Sequence, residues 1–392
     1  MESSPFGAIV SWVDRPPLDG PLQGLRVGIK DVIAVAGVPR LCGAPPGVVD
    51  PAPQRRDATC VARLVADGAQ IVAITTPHQL SYGVTTPGVE NPLAPGRIAG
   101  GSAGGAAAAL AGGLIDGALG TDTAGSVRIP AACCGITALK TSEGLVPRDG
   151  VQPLAPSFDT VGPMARDVAT LTALLRSITA SDVRRALPSR LRVGVIAQAR
   201  DSPLDESVRE GWMTALAALR RAGAHITGVS IPQWDEQHRA GGRILASEAA
   251  EIHRETLRLH ADVLAPDVRS ALESAAHLSQ DTVLAARRTA AMLRDRIAGV
   301  FREVDVLILP VLPCRIPPTG ATSVTIAGRE ESIASALTRL VDVANVAGIP
   351  AGAVPLRGTD QGGVPFSVQV VGPWTGDSTV LAVMQLLEGV RI

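Results

Sequence analysis

Residues 96–140 read GRIAGGSAGGAAAALAGGLIDGALGTDTAGSVRIPAACCGITALK, a stretch almost without large side chains. Such a segment cannot build a core from its own bulk. It can only lie close against other backbone. Gly100-Gly101-Ser102-Ala103-Gly104-Gly105 leads into an alanine run of helical character. Leu114 to Leu119 then reads as a short apolar strand, and Gly120 to Ser126, GTDTAGS, as a tight loop. Glycines permit the positive φ angles and close approach such a loop needs, and successive N–H groups in it can converge on an anion. A chain builds an oxyanion hole beside a nucleophilic serine in this way. A phosphate cradle uses similar glycines, but no Gly-Lys-Ser/Thr follows, which argues against a P-loop.

A second constraint comes from the cations. Of 36 Lys and Arg residues, only Lys30 and Lys140 are lysine. Arginine cannot shed its proton in a protein, whereas a buried lysine can be pushed toward neutrality and act as a base. Lys30 ends the apolar run GLRVGIK, just before Asp31 and a turn. A chain so biased toward arginine keeps lysine by chance or where arginine cannot substitute.

The pieces GGSAGG, GTDTAGSVRIPAACCG and ALKTSEGLVP, with serines 102 and 126 in this order and spacing, resemble the amidase signature family. GLRVGIKDVIAVAGV is similar to that family's catalytic-lysine block. SFDTVGP, NVAGIP and GVPFSVQVVG resemble later blocks, so the similarity runs from about Leu25 to the C-terminus. The resemblance implies a Ser, cis-Ser, Lys triad: Ser126 as nucleophile, Ser102 as proton relay preceded by a cis peptide, and Lys30 as base. The backbone N–H groups of Thr123, Ala124, Gly125 and Ser126 are the candidate oxyanion donors. Gly101 belongs to the supporting loop. Two spellings depart from the family pattern, Ala103 after Ser102 and Ala124 in the loop, and neither removes a triad member. The 75–95 loop matches only in part, with Thr75 and Gln79 in place of the usual residues, which bears on substrate identity. Spellings such as PLAPSFDTVG look most like the short indoleacetamide-hydrolase-like amidases.

Several residues carry a plain and a sharper reading. Asp122 and Arg128 flank the Ser126 loop and read as a loop-stiffening ion pair, with a carboxylate-binding role for Arg128 as the alternative. Asp159 reads as support for the active-site loops, with direct substrate contact as the alternative. His78 is an ordinary polar loop residue or a substrate contact. With nine aromatic residues in the chain, an aromatic pocket wall would draw on Tyr82, Phe158 or Trp374. His253, His260 and His277 lack metal-ligand spacing. Neither a metal nor a cofactor is expected.

Strand, helix and strand over 25–74 with short loops give an α/β pattern. The expected fold is one compact α/β domain with a central mixed β-sheet flanked by helices on both faces. Residues 1–23 read as an irregular lead-in. A helix is expected from about Pro163, a linker over 181–190, strands near 191–197, 226–231 and 305–310, and two or three helices over 243–302. The signature core is expected over about 25–180 and 303–392, with 181–302 as a helical cap. Net charge is −1, which points to neither nucleic acid nor an anionic membrane surface as partner. No secretory signal or long apolar span is visible, and five cysteines without framework spacing read as free thiols. A cytoplasmic enzyme is expected, with a homodimer left open as its assembly.

The reaction these residues suit is hydrolysis of a small-molecule carboxamide to acid and ammonia. Other readings are a glutaminase subunit of a tRNA-dependent amidotransferase, an amide-forming acyl transferase, and a non-catalytic binding scaffold.

Overall fold

The computed structural model describes residues 4–16, 18–179, 183, 187–356, 364 and 366–390. Half of the 181–190 linker lies outside these residues. In chain order, β1 (Ile9–Trp12), β2 (Arg26–Lys30), α1 (Thr59–Ala66) and β3 (Gln70–Thr75) come first. They are followed by α2 (Gly104–Ala111), β4 (Gly117–Asp122), α3 (Arg128–Cys134), β5 (Thr137–Lys140), β6 (Thr160–Ala165) and α4 (Val168–Thr179). Then come β7 (Arg192–Ile196), α5 (Ala197–Asp201), α6 (Glu206–Arg221) and β8 (His225–Val229). A helical run follows: α7 (Trp234–Ile252), α8 (Arg254–His260), α9 (Pro266–Ala276) and α10 (Gln280–Val300). The chain closes with β9 (Val306–Pro310), β10 (Ser323–Ile326), β11 (Arg329–Ser332), α11 (Ile333–Thr338), α12 (Val343–Val346), β12 (Ala351–Pro355), β13 (Ser367–Val371) and α13 (Asp377–Glu388).

Among the described residues, eleven strands form one sheet in the order β1-β3-β2-β4-β6-β5-β12-β13-β9-β7-β8. It is mixed: β2 runs parallel to both β3 and β4, and β7 to both β8 and β9, while the middle of the sheet is antiparallel. Alternate residues feed two cores. Leu119, Leu139 and Val161 point into a layer with α1, α4, α6 and α13, whereas Ala118, Ala138 and Met164 face α2 and α3. The fold is a single α/β domain with a central mixed sheet flanked by helices on both faces.

The small residues of 96–140 let three layers pass close together. α2 is buried on every side, with Ala106 to Leu110 fully inaccessible. On β4, a Cβ at Gly117 would meet Leu174 Cδ1 at 2.8 Å, and one at Gly120 would meet Val127 Cγ1 at 2.8 Å. Leu174 of α4 on one face and Val127, just before α3, on the other therefore sit too near this strand for any side chain at those positions.

Four expectations need correction. The lead-in contains an edge strand, β1, antiparallel to β3. Residues 160–165 form β6, so Pro163 lies in a strand and the next helix begins at Val168. Gly162 and Pro163 are poor strand formers in isolation. Here they stand opposite Gly120 and Leu119, beyond the point where pairing with β5 ends. The apolar strand read over 114–119 starts and ends later, at Gly117 and Asp122. Lastly, the helical run starts at Trp234 and contains four helices, while β7 and β8 belong to the sheet. The five cysteines are free and buried. No helix among the described residues is long and apolar enough to cross a membrane.

Candidate active site

Parallel pairing brings the carboxyl ends of β2 and β4 to the same edge, the usual place for a site in an α/β sheet. β2 ends at Lys30 and β4 at Thr121 and Asp122. Lys30 is fully buried, and its Nζ lies 2.8 Å from Ser102 Oγ and 2.9 Å from Thr121 Oγ1. Burial among apolar neighbours pulls the ammonium down to about 7, against the opposing pull of Asp122 and Asp159. Lys30 is thus poised to lose its proton near neutrality. The Gly101–Ser102 peptide is cis. The following amide, Ala103 N–H, donates to the Ser126 carbonyl at 3.1 Å, which sets the two serine segments side by side.

Only one of the two serines borders open space. Ser126, with Thr123 and Ala124, lines a cavity of about 560 Å³, whereas Ser102 is wholly buried behind it. Gly125 has φ +106°, and its N–H donates to Asp122 Oδ1 at 2.8 Å. Gly125, expected among the oxyanion donors, is therefore committed to the loop itself. Thr123, Ala124 and Ser126 remain at the cavity edge.

Asp122 and Arg128 form the ion pair of the plainer reading, with Arg128 Nη2 3.0 Å from Asp122 Oδ1 and both groups fully buried. Arg128 Nη1 also donates to the Val341 carbonyl and Gln369 Oε1, and Nη2 to Asn345 Oδ1. Burial alone would raise the Asp122 carboxyl. Arg128, the Asn345 amide and Lys140 outweigh it and hold the group well below the usual carboxylate range. A guanidinium so occupied, and away from the cavity, has no donor for a substrate carboxylate. Asp159 likewise works inside the protein. It accepts from Thr123 Oγ1 at 2.7 Å and from the N–H groups of Leu154 and Ala155.

Of the aromatic candidates, Tyr82 and Phe158 line the cavity, while Trp374 is 65% exposed and lies elsewhere. His78 is buried and does not face the cavity. Gly101 packs so tightly that a Cβ would fall 2.5 Å from Thr85 N. The far wall comes from residues the linear pattern does not mark: Leu245 and His238 of α7, Asp267 and Ala271 of α9, and Ile333 and Ser335 of α11. His238 Nδ1 lies 2.5 Å from Asp342 Oδ2. That carboxylate raises the imidazole above its ordinary value, outweighing burial. Most of the cavity wall is apolar, and its charged or titratable lining groups are His238, Arg239, Asp267 and Asp342, with Tyr82. Among the described residues, no cluster of three or more His, Cys, Asp or Glu side chains is placed to hold a metal ion.

Comparison with known proteins agrees with this geometry. A family model described as Amidase matches residues 14–381. An amidase of Pseudomonas putida is 33% identical over 84% of this chain and 74% of its own. A glutamyl-tRNA(Gln) amidotransferase component from Natronomonas pharaonis is 33% identical over 94% of this chain and 96% of its own. A crystal structure of an amidase superposes with a TM-score of 0.88 at 33% identity, covering 95% of this chain and 85% of the other.

Proposed function

This chain belongs to the amidase family and is a hydrolase of amide C–N bonds; on that premise we propose that it cleaves a small carboxamide to acid and ammonia through an acyl-enzyme on Ser126. The observation that carries this reading is the buried Lys30 Nζ, 2.8 Å from Ser102 Oγ, behind a second serine that opens on the cavity. Neutral Lys30 accepts the Ser102 hydroxyl proton as Ser102 accepts that of Ser126. Ser126 Oγ then bonds to the amide carbon. The carbonyl oxygen gains the negative charge, and the N–H groups of Thr123, Ala124 and Ser126 are the donors we assign to it. The proton returns through Ser102 to the nitrogen, the C–N bond breaks and ammonia leaves. Water then attacks the ester by the same relay and releases the acid.

Asp122, Arg128 and Asp159 act in this reading as supports for the Ser126 loop, and Tyr82 and Phe158 as acyl-side walls. Helices over 234–300 act as a cap that closes the cavity from the side opposite the sheet. The apolar walls favour an aryl or alkyl acyl group, which makes arylacetamides, the substrates of the indoleacetamide-hydrolase-like amidases, the first to try. Likeness to an amidotransferase component over nearly its whole length keeps glutamine as the second.

The test is ammonia release from arylacetamides, short aliphatic amides, malonamate, biuret and glutamine, run beside Ser126→Ala and Lys30→Ala. Activity on one class that both substitutions abolish supports the reading and identifies the class. Release from glutamine alone favours the glutaminase reading. Silence on every amide shifts weight to acyl transfer to an amine or to a binding role, and activity surviving Ser126→Ala overturns the mechanism.

A further inference from the structure

His78 sits under the cavity without facing it, and its bonds converge on the segment that carries Ser102. Its backbone N–H donates to the Ser102 carbonyl at 2.8 Å. Its Nδ1 accepts the Thr86 N–H at 3.2 Å. Thr86 Oγ1 in turn donates to the Gly100 carbonyl at 2.9 Å and accepts the Gly104 N–H at 3.2 Å, bracketing the Gly101–Ser102 peptide from both sides. Thr86 has φ +51°, a left-handed backbone that β-branched residues rarely adopt, so something must hold it there. The His78 ring is the group bonded to its N–H.

The other side of the ring reaches the helical cap. Because Nδ1 is an acceptor, the ring proton resides on Nε2, which lies 2.9 Å from Asp267 Oδ2 on α9, a close polar contact that lacks hydrogen-bond alignment. A second tie runs beside it, from the Ala265 N–H to Gln79 Oε1 at 2.6 Å. The ring also packs over Gly83, where a Cβ would fall 2.2 Å from Cε1. Asp267 itself lines the cavity, with 57% of its side chain exposed.

We propose that His78 is a positioning residue for Ser102, and that Asp267 couples it to the cap, so that docking of α9 fixes the proton relay. The proposal rests on the Ser126 and Ser102 roles assigned above. Asn at position 78 can present an acceptor where Nδ1 stands but is too short for Asp267. Gln can reach Asp267 but offers Thr86 no acceptor. Asp267→Ala removes the cap limb together with a half-exposed cavity-wall carboxylate, so exchange over 99–107, and not the acylation rate alone, reads its effect on the Ser102 segment.

The experiment measures, on the full chain, acylation of Ser126 by a fluorophosphonate and hydrogen exchange over 99–107, with Tm alongside. Ser126→Ala serves as the control for labelling. We expect Asp267→Ala and His78→Gln to slow acylation about tenfold or more, since small displacements of a reacting group cost that much. Exchange over 99–107 should quicken in both, and His78→Asn should retain more reactivity than His78→Gln. Acylation at the parent rate in Asp267→Ala and His78→Gln overturns the proposal, as does an exchange change confined to 263–276. Rates that track Tm alone across the set overturn it as well. Absence of Ser126 labelling in the parent sinks the catalytic reading instead, and the exchange over 99–107 then decides the coupling by itself.

Discussion

At the residue scale the proposed mechanism turns on Lys30. A charged ammonium cannot take the Ser102 proton, and burial brings this one down to about 7. kcat/KM for amide hydrolysis should therefore climb as pH rises through about 7 and level off above it, measured as a pH–rate profile. Lys30→Arg keeps the charge at every pH. It should lose about 10²- to 10⁴-fold in kcat, the usual worth of a positioned base. The same shift predicts a stability effect. The folded state releases this proton near 7 and the unfolded state near 10.5, so the unfolded chain binds more protons in between. Stability of the parent relative to Lys30→Met should then rise from about pH 7 toward 10.5 and be flat below, as urea titrations would read. The scarcity of lysine made Lys30 legible in the sequence. Thr121, which shares its Nζ, was not, since no spacing rule links residues 30 and 121.

At the scale of elements, the Ser126 loop is stiffened by one buried ion pair and one crowded strand. Asp122→Asn leaves Arg128 charged and uncompensated in the interior, and a broken buried pair costs roughly 3–5 kcal/mol. Denaturant unfolding should show a loss of that order. Gly120→Ala forces a methyl against Val127 Cγ1 at 2.8 Å and Ala103 Cβ at 3.2 Å. Overpacking of this kind costs about 1–3 kcal/mol, and here it also displaces the residue after Ser102, so amide hydrolysis should fall with stability. Local pattern was enough to mark β2, α1, β3 and β9, because each has a long apolar period or a clean boundary. It was blind to β1 and β6. Those strands exist through their partners: Ile9 pairs with Thr75, and Pro163 stands opposite Leu119.

For the whole molecule, the proposed reactive groups come from the end of β2 and from the loops before α2 and α3, while the helices over 234–300, with α11, supply the far wall. That division explains what the sequence could not tell. Ser102, Ser126 and Lys30 lie in small-residue and apolar blocks whose backbone requirements leave a linear trace. His238 pairs with Asp342, and Asp267 joins them on the cavity wall, only in the folded chain, from segments with ordinary helical composition. Cap and sheet are joined around the cavity by polar ties. One is Ser157, whose Oγ and N–H both donate to Glu248 of α7, at 2.5 and 2.9 Å. A further consequence concerns the surface, where cationic character is carried by arginine. Lys30 and Lys140 are both fully buried. A bulky amine-directed ester should leave both unmodified in the native protein and acylate both after unfolding, as peptide masses would show.

The central claim is that Ser126 is the nucleophile and that Ser102 and Lys30 activate it. The direct measurement is the site and rate of covalent capture by a serine-directed fluorophosphonate, read by peptide mass. The account predicts an adduct on Ser126 in the parent, none in Ser126→Ala, and capture slowed at least about 10²-fold in Lys30→Ala. An adduct on another residue, or capture at the parent rate without Lys30, would contradict it.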